Sequence, residues 1–194
     1  MVYTEQVAAF FNELAPDWDT SHTHDTKIIE NILDYADIRR NMSVLDVGCG
    51  TGILFPFYLD RNVRAVTGVD LSSGMIDRAK EKFQDPRVRL IVGDAEKLQL
   101  GTFDRCVVYS ALPHFENAVR LISKLAQALN QDGRLTVAHS ESREKIDQRH
   151  RGSAHNVSVG LMPASELASL ISPYFQVDTV IDNDEMYVIS GVKY

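Results

Sequence analysis

Asp46, Asp70 and Asp94 each stand where an apolar run gives way to small or polar residues, the pattern of three strands that end in a carboxylate. Asp46 lies within Val44-Leu45-Asp46-Val47, which runs directly into Gly48-Cys49-Gly50-Thr51-Gly52. Ile53, Leu54, Phe55 and Phe57 then resume an apolar pattern at helical spacing. A strand, a tight glycine turn and a helix bring backbone N–H groups close to a ligand. A Cβ in that turn would clash with the ligand or forbid the required φ. Dinucleotide binding needs Gly-x-Gly-x-x-Gly, and counted from Gly48 the third glycine falls on Ile53. An acid just ahead of the loop would also repel a pyrophosphate, whereas it attracts a cation.

S-adenosylmethionine carries an α-ammonium and a sulfonium against a single carboxylate, which suits that acid. Asp46 followed by Gly-Cys-Gly-Thr-Gly resembles motif I of the class I S-adenosylmethionine-dependent methyltransferases. Asp70 ends the next strand, 18 residues beyond Gly52. A carboxylate there can accept hydrogen bonds from both hydroxyls of a ribose, the same physics as in dinucleotide folds. Asp94 ends the third strand, where an adenine amino group would lie; by itself it also reads as a turn former after Gly93. The resemblance covers motif I (44–52), an acidic motif II at Asp70 and a motif III at Gly93-Asp94-Ala95. It extends to the Phe103-Asp104 strand and to Leu129–Leu135, about residues 40 to 140. It is nearest to the quinone-biosynthesis-like group of small-molecule methyltransferases, helped by Asp70-Leu71-Ser72-Ser73-Gly74-Met75-Ile76.

The resemblance implies a seven-stranded fold, S-adenosyl-L-methionine as cofactor, and methyl transfer to a small-molecule acceptor through O, N, S or C. It places Asp46, Gly48, Cys49, Gly50, Asp70, Leu71, Met75, Asp94, Ala95 and Ser110 around the cofactor. Met75 serves equally well as a core methionine. Two other classes stay open: a non-catalytic module that binds S-adenosylmethionine or S-adenosylhomocysteine, and a nucleotide-linked oxidoreductase. Tyr109-Ser110-Ala111-Leu112-Pro113 is not the Asn/Asp-Pro-Pro-Tyr motif suited to amino groups of nucleobases or glutamine.

Six histidines, at 22, 24, 114, 139, 150 and 155, fall outside the expected core helices. His114 follows the fourth strand and His139 the fifth, neighbours about 4.8 Å apart in a parallel sheet. Both imidazoles could therefore reach one site as base or orienter, titrating near pH 6.5. With His150 and His155 they could instead converge on a metal, or sit in polar loops with no such role. Trp18, Arg149 and His150 are candidate substrate contacts. Arg149 and Arg151 could hold an anionic acceptor if their segment folds over the site, although Glu141, Glu144 and Asp147 offset them.

These side chains need a scaffold. Strands are expected at 44–48, 64–70, 88–92, 103–109, 134–138, 175–180 and 186–192. Helices are expected at 4–15 (capped by Thr4 and ended by Pro16), after Asp25, at about 52–60, from a Ser72 cap to Phe83, at 117–130 and at 163–170. Residues 141–160 read as irregular or weakly helical. Five strand–helix alternations require a doubly wound, mostly parallel α/β sheet covered on both faces. The last two strands join by a short turn, so one is antiparallel. Right-handed crossovers put the carboxyl ends of the strands on one rim, beside the topological switch point where ligands bind.

The chain of 194 residues fits a single domain, with residues 1–38 as an N-terminal helical lid and 141–173 as a substrate-side insertion. Lys and Arg number 20 against 27 acids, a net charge of −7. That argues against bulk nucleic-acid binding, which depends on neutralising phosphates. Two cysteines, Cys49 and Cys106, make no disulfide framework. No basic and apolar leader opens the chain, and no run approaches the ~20 apolar residues of a membrane span. A cytoplasmic protein with no membrane or nucleic-acid partner is expected, its oligomeric state open.

Overall fold

In the computed structural model of the chain, residues 3–21, 24–152 and 154–194 are described. Residues 1, 2, 22, 23 and 153 lie outside the described residues, and with them His22 of the expected lid. The elements run α1 (Thr4–Leu14), α2 (Trp18–Ser21), α3 (Thr26–Tyr35), β1 (Ser43–Val47), α4 (Phe55–Asp60), β2 (Ala65–Asp70) and α5 (Ser73–Lys82). They continue with β3 (Val88–Val92), β4 (Phe103–Tyr109), α6 (Ala118–Gln127), β5 (Leu129–His139), α7 (Arg143–Arg151), α8 (Ala164–Ile171), β6 (Phe175–Asp182) and β7 (Tyr187–Lys193). One seven-stranded sheet has the order β3-β2-β1-β4-β5-β7-β6. β7 runs antiparallel to β5 and to β6, and the other pairings are parallel.

The strands alternate their side chains between two faces. Leu45, Val47, Cys106, Val108, Leu135 and Val137 pack towards α6 and α8. Val44, Val66, Val107 and Ala138 pack towards α3, α4 and α5. β1 is buried along its whole length, as a strand covered on both faces must be. A third, small cluster of Val7, Ala154 and Val157, with Phe10, Phe11 and Leu71 against it, ties α1 to the chain after α7. The order reverses between β1 and β4, so the loops after those strands border a crevice at the rim.

Several boundaries differ from the expectation. Gly52 has φ +83°, outside the helical region, so α4 begins at Phe55 rather than near residue 52. Thr4 does not cap α1; Tyr3 precedes the helix without a side-chain cap. α1 ends at Leu14, just ahead of Pro16 as expected, and a 3₁₀ turn at Ala15–Asp17 then leads straight into α2. Asp25 and Ser72 cap α3 and α5 as their spacing suggests. α6 stops at Gln127, short of the expected residue 130. β5 instead starts at Leu129, which pairs with Phe103, and Asp132 at φ +59° lies where the register shifts before Arg134. The segment after His139 is more regular than expected, with Ser142 capping the nine-residue α7. No helix among the described residues is long and apolar enough to cross a membrane.

Candidate functional site

The glycine loop folds back over the end of β2. Gly48 and Cys49 both donate their N–H to Val69 O, at 2.8 and 3.1 Å. Gly48 (φ +69°) and Gly50 (φ +54°) both lie in the left-handed region that favours glycine. A Cβ on Gly48 would come within 2.5 Å of the Ala111 Cβ, so the loop and the chain after β4 touch only because that atom is missing. A Cβ on Gly50 would meet nothing within 4 Å, leaving a cradle on the cavity wall. The Gly50 N–H donates to Asp70 Oδ2 at 2.8 Å, and the Ser72 N–H to Oδ1 at 2.9 Å. Asp70 thus joins the β1 loop to the end of β2.

Above this junction lies a cavity of about 570 Å³, inside the range of roughly 300–1,000 Å³ of small-molecule sites. Its floor is the glycine loop, the end of β2 and Ala95; its far wall is Tyr109 to Ala111, Ser140 and Glu141. The N-terminal layer adds Phe10, Phe11 and Trp18, whose rings meet edge to face at 5.2 and 5.7 Å. That layer is tied to the floor elements at two points. Asn12 Oδ1 accepts from the Gly74 N–H at 2.9 Å and the Ser72 hydroxyl at 2.7 Å. Asp19 accepts from the Thr51 hydroxyl at 2.5 Å and from Lys82 Nζ at 2.8 Å.

Twelve of the residues singled out in the sequence share this wall: Gly48, Cys49, Gly50, Asp70, Leu71, Met75, Ala95, Ser110, His114, Trp18, Arg149 and His150. Four do not. Asp46 is buried beneath the loop. Asp94 turns aside, accepting from the Glu96 N–H and pairing with Lys97 at 2.9 Å. His139 points under the sheet rim at the Tyr187 ring, 5.9 Å away, and its buried Nε2 has no partner among the described residues. Consecutive strand residues face opposite sides, so Ser140 reaches the cavity where His139 does not. His155 is exposed and away from the cavity. Among the described residues no three His, Cys, Asp or Glu side chains converge to hold a metal.

Burial sets the electrostatics. It pushes the Asp46 carboxyl up to about 7, with the nearby Asp70 carboxylate adding to the rise. Burial also raises Asp70, against which the Ser72 and Gly50 N–H groups favour its ionised form. Asp70 is the acid on the cavity floor, and Asp46 lies behind it, buried beneath the loop. His114 is lowered to about 4, first by burial and then by the neighbouring His150, whose ring lies 5.1 Å away. Its Nδ1 stands 2.8 Å from Val157 O. A carbonyl only accepts, so Nδ1 carries the proton and Nε2 keeps the lone pair. Arg149 is engaged by Glu141 in an ion pair on the wall.

Sequence reasoning passed over Tyr109, Ser140, Asn12 and Asp19. Tyr109 and Ser140 were reachable by the same strand-end rule that found Asp70. Nothing in the local sequence marks Asn12 or Asp19, because their partners lie about 30 to 60 residues away in the chain.

A family model described as a methyltransferase domain matches residues 44–133. A malonyl-[acyl-carrier protein] O-methyltransferase from Acetivibrio thermocellus is 31% identical over 127 residues, 63% of this chain and 45% of that protein. A ubiquinone/menaquinone biosynthesis C-methyltransferase from Campylobacter jejuni is 26% identical over 158 residues, 73% of this chain and 66% of that one. The chain therefore spans about half to two thirds of the length of these relatives. The magnesium protoporphyrin IX methyltransferase of Synechocystis PCC 6803, solved with bound S-adenosylhomocysteine, superposes with a TM-score of 0.73. It covers 98% of this chain and 99% of that one at 17% identity, a likeness of fold.

Proposed function

We propose that the chain is a class I S-adenosylmethionine-dependent methyltransferase whose cavity transfers a methyl group from S-adenosylmethionine to a small-molecule acceptor. One observation carries the proposal. The Gly50 N–H, on a residue with open space where a Cβ would stand, and the half-buried Asp70 carboxylate meet at 2.8 Å on the floor of the cavity.

The residues fit the group in three parts. Asp70 would hold the ribose hydroxyls, since a carboxylate already fixed by backbone N–H groups keeps lone pairs for further donors. Leu71, Met75 and Ala95 offer an apolar wall for the adenine. Asp46, Gly48, Cys49 and Gly50 form the acid-backed loop for the methionine end. When bound, the cofactor supplies a sulfonium methyl that is already electrophilic, so positioning an acceptor in line accounts for much of the rate. The rings of Phe10, Phe11 and Trp18 exclude water from that line. His114, neutral at physiological pH and with its lone pair on Nε2, orients an acceptor N–H or O–H. Residues 1–38 then act as a lid and 141–173 as the acceptor-side insertion of a single domain.

Calorimetry with S-adenosylhomocysteine tests the reading. Each charge-assisted hydrogen bond to Asp70 contributes about 1.5–3 kcal/mol, so Asp70→Ala should weaken binding at least about tenfold. Equal affinity in wild type and variant defeats the ribose assignment. Transfer of a labelled methyl group to a panel of small acceptors tests turnover.

A further inference from the structure

A hydrogen-bonded chain crosses the cavity wall at the end of β4, beside Ser110. Tyr109 Oη stands 3.2 Å from His24 Nδ1 and 2.6 Å from Ser140 Oγ, and all three residues line the cavity. They come from three separate parts of the chain: the segment before α3, the last residue of β4, and the residue after β5. Tyr109 pairs with Ala138 in the parallel ladder, which brings Ser140 alongside. The Tyr109 ring is held in the core beneath α3 and α4, so its hydroxyl is fixed in direction. Each of these hydroxyls has one proton to donate. If Tyr109 donates to His24 Nδ1, Ser140 donates to Tyr109, and the remaining lone pair of the phenol oxygen, which the neighbouring Ser110 hydroxyl also approaches, is the one a ligand takes.

Resting on the methyltransferase reading, we propose that Tyr109 is a catalytic residue that takes the proton of a neutral, phenol-class O–H acceptor and passes its own proton to His24. The acceptor O–H breaks toward Tyr109 Oη while the Tyr109 O–H breaks toward His24 Nδ1. The electron pair freed on the acceptor oxygen forms the new bond to the methyl carbon. The methyl–sulfur bond breaks with its pair on sulfur, and the positive charge lost there reappears on His24. That imidazolium, half-buried, returns its proton to solvent.

The acceptor class follows from what the wall offers. Arg149 is the one Lys or Arg on the cavity wall among the described residues, and Glu141 already pairs with it. A carboxylate acceptor would find no free cation there, and being ionised at neutral pH it would need no proton relay. A neutral amine attacks before losing its proton. An aliphatic alcohol is a far weaker acid than a phenol, so the same relay would draw its proton at much greater cost. A phenol needs one proton removed at modest cost, and its ring suits a wall carrying Phe10, Phe11 and Trp18.

The test uses 4-nitrophenol, whose ionised form is read by absorbance, added to the full chain saturated with S-adenosylhomocysteine. Wild type should bind the probe and raise its ionisation constant by about tenfold, as hydrogen bonding to the charged form does. Tyr109→Phe should keep its melting temperature and its affinity for S-adenosylhomocysteine yet lose that shift. With labelled S-adenosylmethionine and the same probe as acceptor, its rate should fall by about 10²–10⁴. His24→Asn should lose the shift as well. An unchanged shift in Tyr109→Phe, or no binding of the probe to the loaded wild type, overturns the proposal. Failure of wild type to bind S-adenosylhomocysteine overturns the methyltransferase reading instead.

Discussion

A Cβ on Gly48 would stand 2.5 Å from the Ala111 Cβ, whereas one on Gly50 would stand in the open on the cavity wall. The two residues share a left-handed φ but answer different demands: Gly48 lets two backbones approach, and Gly50 leaves room for a ligand. Their alanine variants should therefore fail differently. Gly48→Ala combines a left-handed backbone, roughly 1–2 kcal/mol, with overpacking of roughly 1–3 kcal/mol. Chemical denaturation should show a loss of about 2–5 kcal/mol from the two together. Gly50→Ala should lose no more than about 2 kcal/mol of stability while weakening S-adenosylhomocysteine by about tenfold or more. Equal stability losses in the two variants would mean that the Ala111 contact is not what requires Gly48. Ser110 also holds a left-handed φ, +52°, and it too lines the cavity. Backbone strain of this kind concentrates where a chain must present groups to a ligand.

The N-terminal helices show how one element positions another. α1 reaches α5 through Asn12, whose side-chain carbonyl adds to the Ser72 cap at the N-terminus of that helix. α2 reaches the glycine loop through Asp19, Thr51 and Lys82. Both ties end on elements that carry the cofactor floor, so the aromatic layer and the floor are mechanically connected. Lids that close over ligands act through such contacts. Asp19→Ala removes an exposed ion pair worth about 0.2–1 kcal/mol together with one hydrogen bond of about 1 kcal/mol. Global stability should thus change little, while amide exchange in α1 and α2 quickens severalfold in the ligand-free chain. Exchange indistinguishable from wild type would show that the aromatic packing alone seats the layer. The same coupling carries the layer past Pro16, after α1 has ended: the 3₁₀ turn needs no N–H from proline and delivers Trp18 and Asp19 to the rim.

At the scale of the whole molecule, buried titratable groups tie stability to pH. His139 is buried against Tyr187 and lowered to about 3, first by burial and then by His150, His114 and Arg149. Its folded value lies below the ordinary 6.5, so between these values the unfolded chain binds more protons and stability rises with pH. From pH 7 down to pH 5 this one group should cost about 2 kcal/mol, at ~1.4 kcal/mol per unit. Asp46 acts in the opposite sense: raised to about 7 by burial, it destabilises the fold as pH climbs from about 4 to 7. His139→Phe removes the titration and the unpartnered Nε2 together. Urea denaturation should show that the stability gained from pH 5 to pH 7, counted with its sign, is about 2 kcal/mol lower in the variant than in wild type, the opposing Asp46 contribution being common to both. A difference as large as in wild type would place the acid sensitivity elsewhere.

The strand positions, the mostly parallel doubly wound class and the place of the glycine loop were determined by the chain locally. They follow from apolar runs buried on both faces, from glycines at left-handed φ, and from acids at the ends of strands. Asp70 could be placed beside the loop from its strand-end position alone, because parallel neighbours bring their ends to one rim. Tertiary structure decided what one residue of register or a distant partner controls. His139 and Ser140 are adjacent in sequence, yet the pleat sends one beneath the rim and the other to the cavity. Leu129 belongs to β5 because Phe103 pairs with it, a contact that no local propensity announces. His24, Tyr109 and Ser140 form one hydrogen-bonded chain only once β4, β5 and the N-terminal layer have packed. Periodicity and turn chemistry act over a few residues, whereas the direction of a side chain at the rim depends on contacts made across the whole fold.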